Sequence, residues 1–296
     1  MRLLICGARG STPAPGADFV RHGGETSCIA VARDGEAPRL VLDAGTGLRR
    51  LSSLLDGAPF RGTLLLGHLH WDHTHGIPFF PAADRPDSAV TVRVPAQEDG
   101  AEALAALSKC MSPPHFPITP AQLRGDWRFD SVAEGSHDIE GYQVLAREIP
   151  HKGGRTFGYR ISDGQCSFAY LSDHAPIDLG PGPEGLGEYH EAVMELSAGV
   201  DLLIHDAQYT ASELPARAHF GHSAIEYAVG LAERAAAARL LLFHHDPSRT
   251  DAQLDALVLQ HRARFAALDA ACEGAVIDLP ARSALGAGSA QQRGPA

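Results

Sequence analysis

Five short apolar runs in this chain, each of strand length, end on a histidine or an aspartate, and the first ends on four such residues together. Residues 63–67 lead into His68-Leu69-His70-Trp71-Asp72-His73. Residues 145–150 precede His151, 168–172 precede Asp173, 202–204 precede His205 and 239–243 precede His244. Apolar runs this short, alternating with helical patterns, read as buried strands of an α/β protein. The carboxyl edge of the sheet is where such folds place their chemistry. The pattern therefore predicts one sheet edge crowded with imidazoles and carboxylates.

Further strands are expected at residues 2–6, 26–31, 39–42, 89–94, 144–149 and 157–161. Helices are expected from the tight loop at 43–47 through Leu55, and over 99–110, 188–196, 223–238 and 251–273. Residues 111–120 hold Pro113, Pro114, Pro117 and Pro120 and must form a loop. The insert between Ile77 and Pro150 is thus expected to hold one strand, one helix and this loop. The order suggests two similar sheets packed face to face with helices outside. One domain over residues 1–280 is expected, followed by a small, polar tail over 281–296.

The formal charge is −11, which repels long polyanions and provides no basic stripe for a nucleic-acid backbone. Bound divalent cations would invert that field locally, so a small phosphorylated substrate is compatible with it. Cys6, Cys28, Cys110, Cys166 and Cys272 are odd in number and scattered, which suits free thiols in a reducing cytoplasm. The apolar start is too short for a secretory signal, and no run approaches a membrane span. A cytoplasmic protein without a membrane partner is the expectation.

On an extended segment His68 and His70 share a face, so both imidazoles can reach one ion. Asp72 and His73 fall where the chain turns and can face a second. His151, Asp173 and either His244 or His245 sit just past strands and can complete two sites. Nitrogen and carboxylate donors without thiolate suit zinc, with manganese or iron as alternatives.

His68-Leu69-His70-Trp71-Asp72-His73, followed by Gly76, resembles the H-x-H-x-D-H signature of the metallo-β-lactamase fold superfamily. His151, Asp173 and His244 match its later ligand motifs in order. The resemblance covers the chain to about residue 280 and implies an α/β fold, an αββα sandwich of two mixed sheets with outer helices. It implies two divalent metal ions, one held by His68, His70 and His151, the other by Asp72, His73 and His244, with Asp173 bridging. His244 fits the motif position better than His245. Asp246 is expected to orient one of them.

Three further stretches resemble the phosphodiesterase branch that includes RNase Z and cyclic-nucleotide phosphodiesterase-like proteins. They are Gly7-Ala8-Arg9-Gly10-Ser11-Thr12-Pro13, Leu203-Ile204-His205-Asp206-Ala207 and Gly221-His222-Ser223-Ala224, the second departing from that branch's His-Glu-Ala-Thr pattern with Asp206 and Gln208 at its second and fourth places. Ser223 reads as the N-cap of a capping box with Glu226, placing His222 at an electropositive helix start. The expected reaction is metal-assisted hydrolysis of a small phosphodiester such as a cyclic nucleotide. Asp72 would serve as ligand and orienter of the nucleophile, and His222 as general acid or phosphate clamp. His205 and Asp206 are read as orienting His222 or standing behind the metals. By analogy with such folds, a homodimer is compatible with this reading.

The acidic charge and the lack of a basic arm argue against long RNA, leaving an RNA 3′-end nuclease as an alternative. Hydrolysis of a carbon ester, thioester or lactone is a second, and a non-catalytic metal-bound module a third. A diiron oxygen- or nitric-oxide-reducing role fits poorly, since that branch carries glutamate where His70 stands.

Overall fold

The computed structural model describes residues 1–97 and 100–281. Nearly every residue of the strands that run toward the histidines is buried, because helices cover one face and a second sheet covers the other. The first sheet contains β1 (Arg2–Gly7), β2 (Cys28–Ala32), β3 (Leu40–Leu42), β4 (Arg61–Leu65), β5 (Ala89–Pro95) and β6 (Asp126–Val132). The second contains β7 (Gly135–Ile139), β8 (Tyr142–Ile149), β9 (Thr156–Ser162), β10 (Ser167–Leu171), β11 (Leu202–Asp206), β12 (Leu240–Phe243) and β13 (Leu268–Ala270). The last strand, β14 (Val276–Asp278), returns to pair with β1. The sheet orders are β14-β1-β2-β3-β4-β5-β6 and β13-β12-β11-β10-β9-β8-β7. Both are mixed: β3 to β6 and β10 to β13 run parallel, while the remaining neighbours are antiparallel.

One apolar cluster lies between the sheets, joining Ile5, Ile29 and Leu65 of the first to Tyr159, Phe168, Ile204 and Phe243 of the second. Full burial of each such side chain is worth about 1.5–3 kcal/mol. The outer face of the second sheet packs residues of the helices Glu191–Ser197, Ile225–Arg234 and Asp251–Arg262. Helices Leu48–Leu54 and Ala103–Ser108 cover the first sheet. The layers are therefore α, β, β, α, as the resemblance implies. Among the described residues no helix is long and apolar enough to cross a membrane.

Four local expectations are corrected. The insert carries two more strands, β6 and β7, and β7 forms a hairpin with β8. Those segments alternate exposed and half-buried residues at the sheet margins, so no continuous apolar run marks them. The helix expected over 251–273 ends at Arg262, and Leu268–Ala270 joins β12 as a parallel edge strand. Only three residues long, that strand is too short to show a period of its own. The helix expected over 99–110 is Ala103–Ser108, and residues 98–99 lie outside those described.

Finally, Ser223 is no N-cap. Ala224 takes that position and pairs as an isolated bridge with Tyr209. The Ile225 N–H, a first-turn donor with no partner inside the helix, donates to Tyr209 O at 2.8 Å. Glu226 instead accepts from the Ala211 N–H at 2.7 Å. The expected tail over 282–296 lies outside the described residues.

Candidate metal centre

Six strands deliver side chains to one edge at their carboxyl ends. Asp43 follows β3, His68 to His73 follow β4, and His151, Asp173 and His244 follow β8, β10 and β12, while Asp206 ends β11. Two overlapping donor groups result, with ligand atoms inside each within 4.8 Å of one another. One is His68, His70, His151 and Asp173; the other is Asp72, His73, Asp173 and His244. Asp173 belongs to both. A third group, Asp206, His222 and His244, adjoins them.

The surroundings fix which nitrogen of each ring points inward. His73 donates through Nδ1 to Asp43 Oδ2 at 2.7 Å, leaving Nε2 free for the centre. His151 donates through Nδ1 to the Gly221 carbonyl at 2.6 Å, and its bare Nε2 faces His70 Nδ1 at 3.3 Å. His244 donates through Nδ1 to Gln208 Oε1 at 2.8 Å, and its Nε2 lies 3.0 Å from Asp72 Oδ2. The His245 ring turns away, with Nε2 on Ala271 O at 3.0 Å. Adjacent residues thus serve opposite sides of one backbone turn. Asp246 accepts from Arg217 Nη1 at 2.6 Å, and neither neighbouring ring bonds to its carboxylate.

The fit to divalent cations is seen in what is left unpaired. Both nitrogens of His68, Nε2 of His73 and Oδ1 of Asp173 are buried without a hydrogen-bond partner. Orphaned buried groups of this kind cost free energy, and a cation relieves it by taking one lone pair from each side chain, a single nitrogen in the case of His68. The donors are imidazole nitrogen and carboxylate oxygen with no thiolate, which suits zinc, manganese or iron.

Proton affinities follow the same geometry. Burial pushes the His68 and His70 imidazoles down and His151 to about 4, which favours the neutral form in which an imidazole can ligate a metal. Burial alone would raise Asp72, but facing His73 and His244 hold it well below the usual carboxylate range. Against the opposing effect of burial, the surrounding carboxylates raise His73 and His244.

The opening glycine loop closes the site from above. Gly10 N–H donates to His245 O and His245 N–H to Ala8 O. The Ser11 N–H donates to Asp72 Oδ2 at 2.7 Å. A Cβ on Gly10 would stand 2.4 Å from His244 Nδ1, so only glycine permits this approach. Arg9, fully buried, ties the loop down by donating to the carbonyls of Gly23, Asp246 and Arg249.

His222 is buried at the rim, and its Nδ1–H donates to Asp206 Oδ2 at 2.9 Å. Asp206 thus orients His222, while His205 turns away and bonds His174 at 3.0 Å. His22 and His75 lie outside both donor groups. A cavity of about 670 Å³ opens over the centre, lined by Asp72, Asp173, His222, Arg217, Trp71 and Phe220 among others.

Sequence reasoning missed Asp43 and Gln208. Asp43 follows the apolar run of β3, so the rule that strand ends carry chemistry applied to it as well. It accepts from Gly67 N–H and Tyr170 O–H in addition to His73, at 2.7, 2.6 and 2.7 Å. Gln208 stands at the fourth place of the segment His205-Asp206-Ala207-Gln208, but nothing in the sequence marks it as the partner of His244.

A sequence model of the beta-lactamase superfamily domain matches residues 38–245. The chain is 25% identical over 308 residues to a Ribonuclease Z of Haloarcula marismortui, covering 90% of this chain and 92% of that one. It is 27% identical over 333 residues to a Ribonuclease Z of Halorubrum lacusprofundi, covering 95% and 97%. Among solved structures, the metallo-beta-lactamase fold protein YhfI from Bacillus subtilis superposes with a TM-score of 0.66 at 17% identity, covering 93% and 98%. The family match, the αββα layers and the histidine-aspartate cluster agree: the chain is a hydrolase of the metallo-β-lactamase superfamily.

Proposed function

We propose that the chain is a dinuclear metal-dependent phosphodiesterase acting on a small phosphodiester such as a cyclic nucleotide. One observation carries this reading. A buried histidine that is not a member of the two main donor groups, His222, is held by Asp206 and opens onto the same cavity as both. With Nδ1–H committed to Asp206, Nε2 is the atom left to meet a phosphate oxygen or the departing alkoxide. The helix that follows contributes less than its sequence suggests, because its first N–H is taken by Tyr209.

His68, His70 and His151 would hold one ion, and Asp72, His73 and His244 the other, with Asp173 shared. When bound, divalent ions, zinc in the first instance, supply a nucleophile by lowering the pKa of water and neutralise charge on the phosphoryl oxygens. Asp72 orients the nucleophile. Asp43, Gly221 O and Gln208 keep the donor nitrogens of His73, His151 and His244 turned inward. His222 donates a proton to the leaving group or clamps a non-bridging oxygen. The exposed rings of Trp71 and Phe220 flank the opening and offer stacking surface for an aromatic substituent.

A second reading, processing of RNA 3′ ends, is favoured by the relatives named Ribonuclease Z. The formal charge of −11 favours the small substrate. Purified protein supplied with zinc or manganese should therefore turn over cyclic nucleotides or simple diesters in preference to a precursor tRNA and to a thioester. Cleavage of the tRNA alone would select the second reading, and cleavage of the thioester alone would overturn both.

A further inference from the structure

A second cavity, of about 300 Å³, shares no lining residue with the one over the metal centre. Its wall carries Cys272, His22 and Asp255. Cys272 Sγ lies 3.2 Å from His22 Nδ1, and His22 Nε2 lies 3.0 Å from Asp255 Oδ1. Nucleophile, base and orienting carboxylate thus stand in line, each within hydrogen-bond reach of the next. We propose that Cys272 is a nucleophilic thiol served by His22 and Asp255, and that it is a site of modification by small electrophiles of the hydroperoxide class.

The surroundings support that assignment. Both nitrogens of His22 face acceptors: Asp255 on one side, and on the other Ala271 O at 3.3 Å together with the sulfur. Burial opposes a charge on this ring, yet the contacts to Cys272 and Asp255 carry it up to about 9. The sulfur's other polar contact, to Ala270 O, is longer at 3.7 Å. The frame is rigid, because Asp251 accepts from the N–H groups of Arg21 and His22, and Glu273 N–H donates to His22 O.

The other cysteines provide the contrast. Cys6, Cys28 and Cys166 are buried. Cys110 is partly exposed like Cys272, but its thiol only donates to Leu107 O, and burial pushes it up.

The chemistry balances without another reactant. The sulfur attacks the terminal peroxide oxygen, an S–O bond forms and the O–O bond breaks. The cysteine is oxidised to the sulfenic acid and the hydroperoxide reduced to an alcohol, or to water from hydrogen peroxide. His22 takes up the thiol proton and returns it to the departing oxygen.

The test is site-resolved mass spectrometry of the full-length protein during brief iodoacetamide labelling, and after hydrogen peroxide with dimedone as the sulfenic-acid trap. Cys272 is expected to alkylate on the order of tenfold faster than Cys110 and to be the residue dimedone marks. His22→Gln should remove most of that advantage, and Asp255→Asn about a threefold part of it. Equal labelling of Cys272 and Cys110 would overturn the proposal, as would rates unchanged in both variants. Fast alkylation with no dimedone adduct would overturn the hydroperoxide assignment. Should His22→Gln fail to fold, the exposed Asp255 variant decides.

Discussion

The His222 imidazole and the Asp206 carboxylate meet at 2.9 Å, and the same carboxylate accepts the backbone N–H groups of His174 and Gln208, each at 3.1 Å. Three donors converge on one fully buried side chain, so the orientation of His222 is set by the end of β11. If His222 is the proton donor of the reaction, His222→Ala should lower kcat roughly 10²–10⁴-fold while both metals stay bound. Asp206→Asn should reproduce part of that loss by allowing the wrong tautomer. Steady-state kinetics with metal analysis checks this. Release of a metal on His222→Ala would place the residue among the ligands instead.

Asp43 is the least conspicuous residue on which the centre depends. It is buried at φ 57°, where most residues are strained, and it binds four donors: Gly67 N–H, His73 Nδ1–H, Tyr170 O–H and Ser172 O–H. Asp43→Ala should cost about 3–5 kcal/mol of stability, because it leaves those groups unpaired, and should weaken binding at the His73 site. Urea unfolding and metal titration of the variant measure both effects. A loss under about 1 kcal/mol would refute the role.

Acid sensitivity of the metal-free fold follows from histidines that are buried and neutral. Burial, with Arg9 nearby, pushes His245 down to about 3, and burial pushes His190 to about 4. Both folded values lie below the unfolded value of 6.5. Their contribution is therefore fully present above pH 6.5 and is lost as the pH falls through 6.5 toward the folded values. With metal chelated, His245 alone should account for about 2–3 kcal/mol of stability lost between pH 7 and 4.5. His245→Asn should flatten the curve by a similar amount in urea melts at the two pH values.

Trp71 stands within the ligand signature yet is 65% exposed at the mouth of the cavity. Trp71→Ala should raise KM for an aryl phosphodiester roughly tenfold and leave kcat within a factor of about three, since stacking is worth about 1–3 kcal/mol. A fall in kcat with KM unchanged would place the ring in the chemistry rather than in binding.

The candidate ligands were legible where chemistry sits at the end of a strong apolar run. His68, His70, Asp72, His73, His151, Asp173 and His244 all follow such runs, and the structure draws them together at one edge. The sandwich followed from the same runs together with the family signature. What stayed hidden depends on contacts distant in sequence. The Ser223 cap was lost because Tyr209, in a separate loop, pairs with Ala224 and supplies the carbonyl. Strands β6, β7 and β13 are marginal or short, so their stability comes from neighbours rather than from their own pattern.

Whether a pair of metal ions works on a phosphodiester is decided by hydrolysis of bis-p-nitrophenyl phosphate. Protein restored with zinc or manganese is measured beside Asp72→Ala, with metal content determined for both. Turnover in the parent, with about two ions per chain, and its near-complete loss in the variant are expected. A fully metal-loaded parent that does not cleave the diester, or an Asp72→Ala protein that cleaves it as well as the parent, would contradict the proposed function.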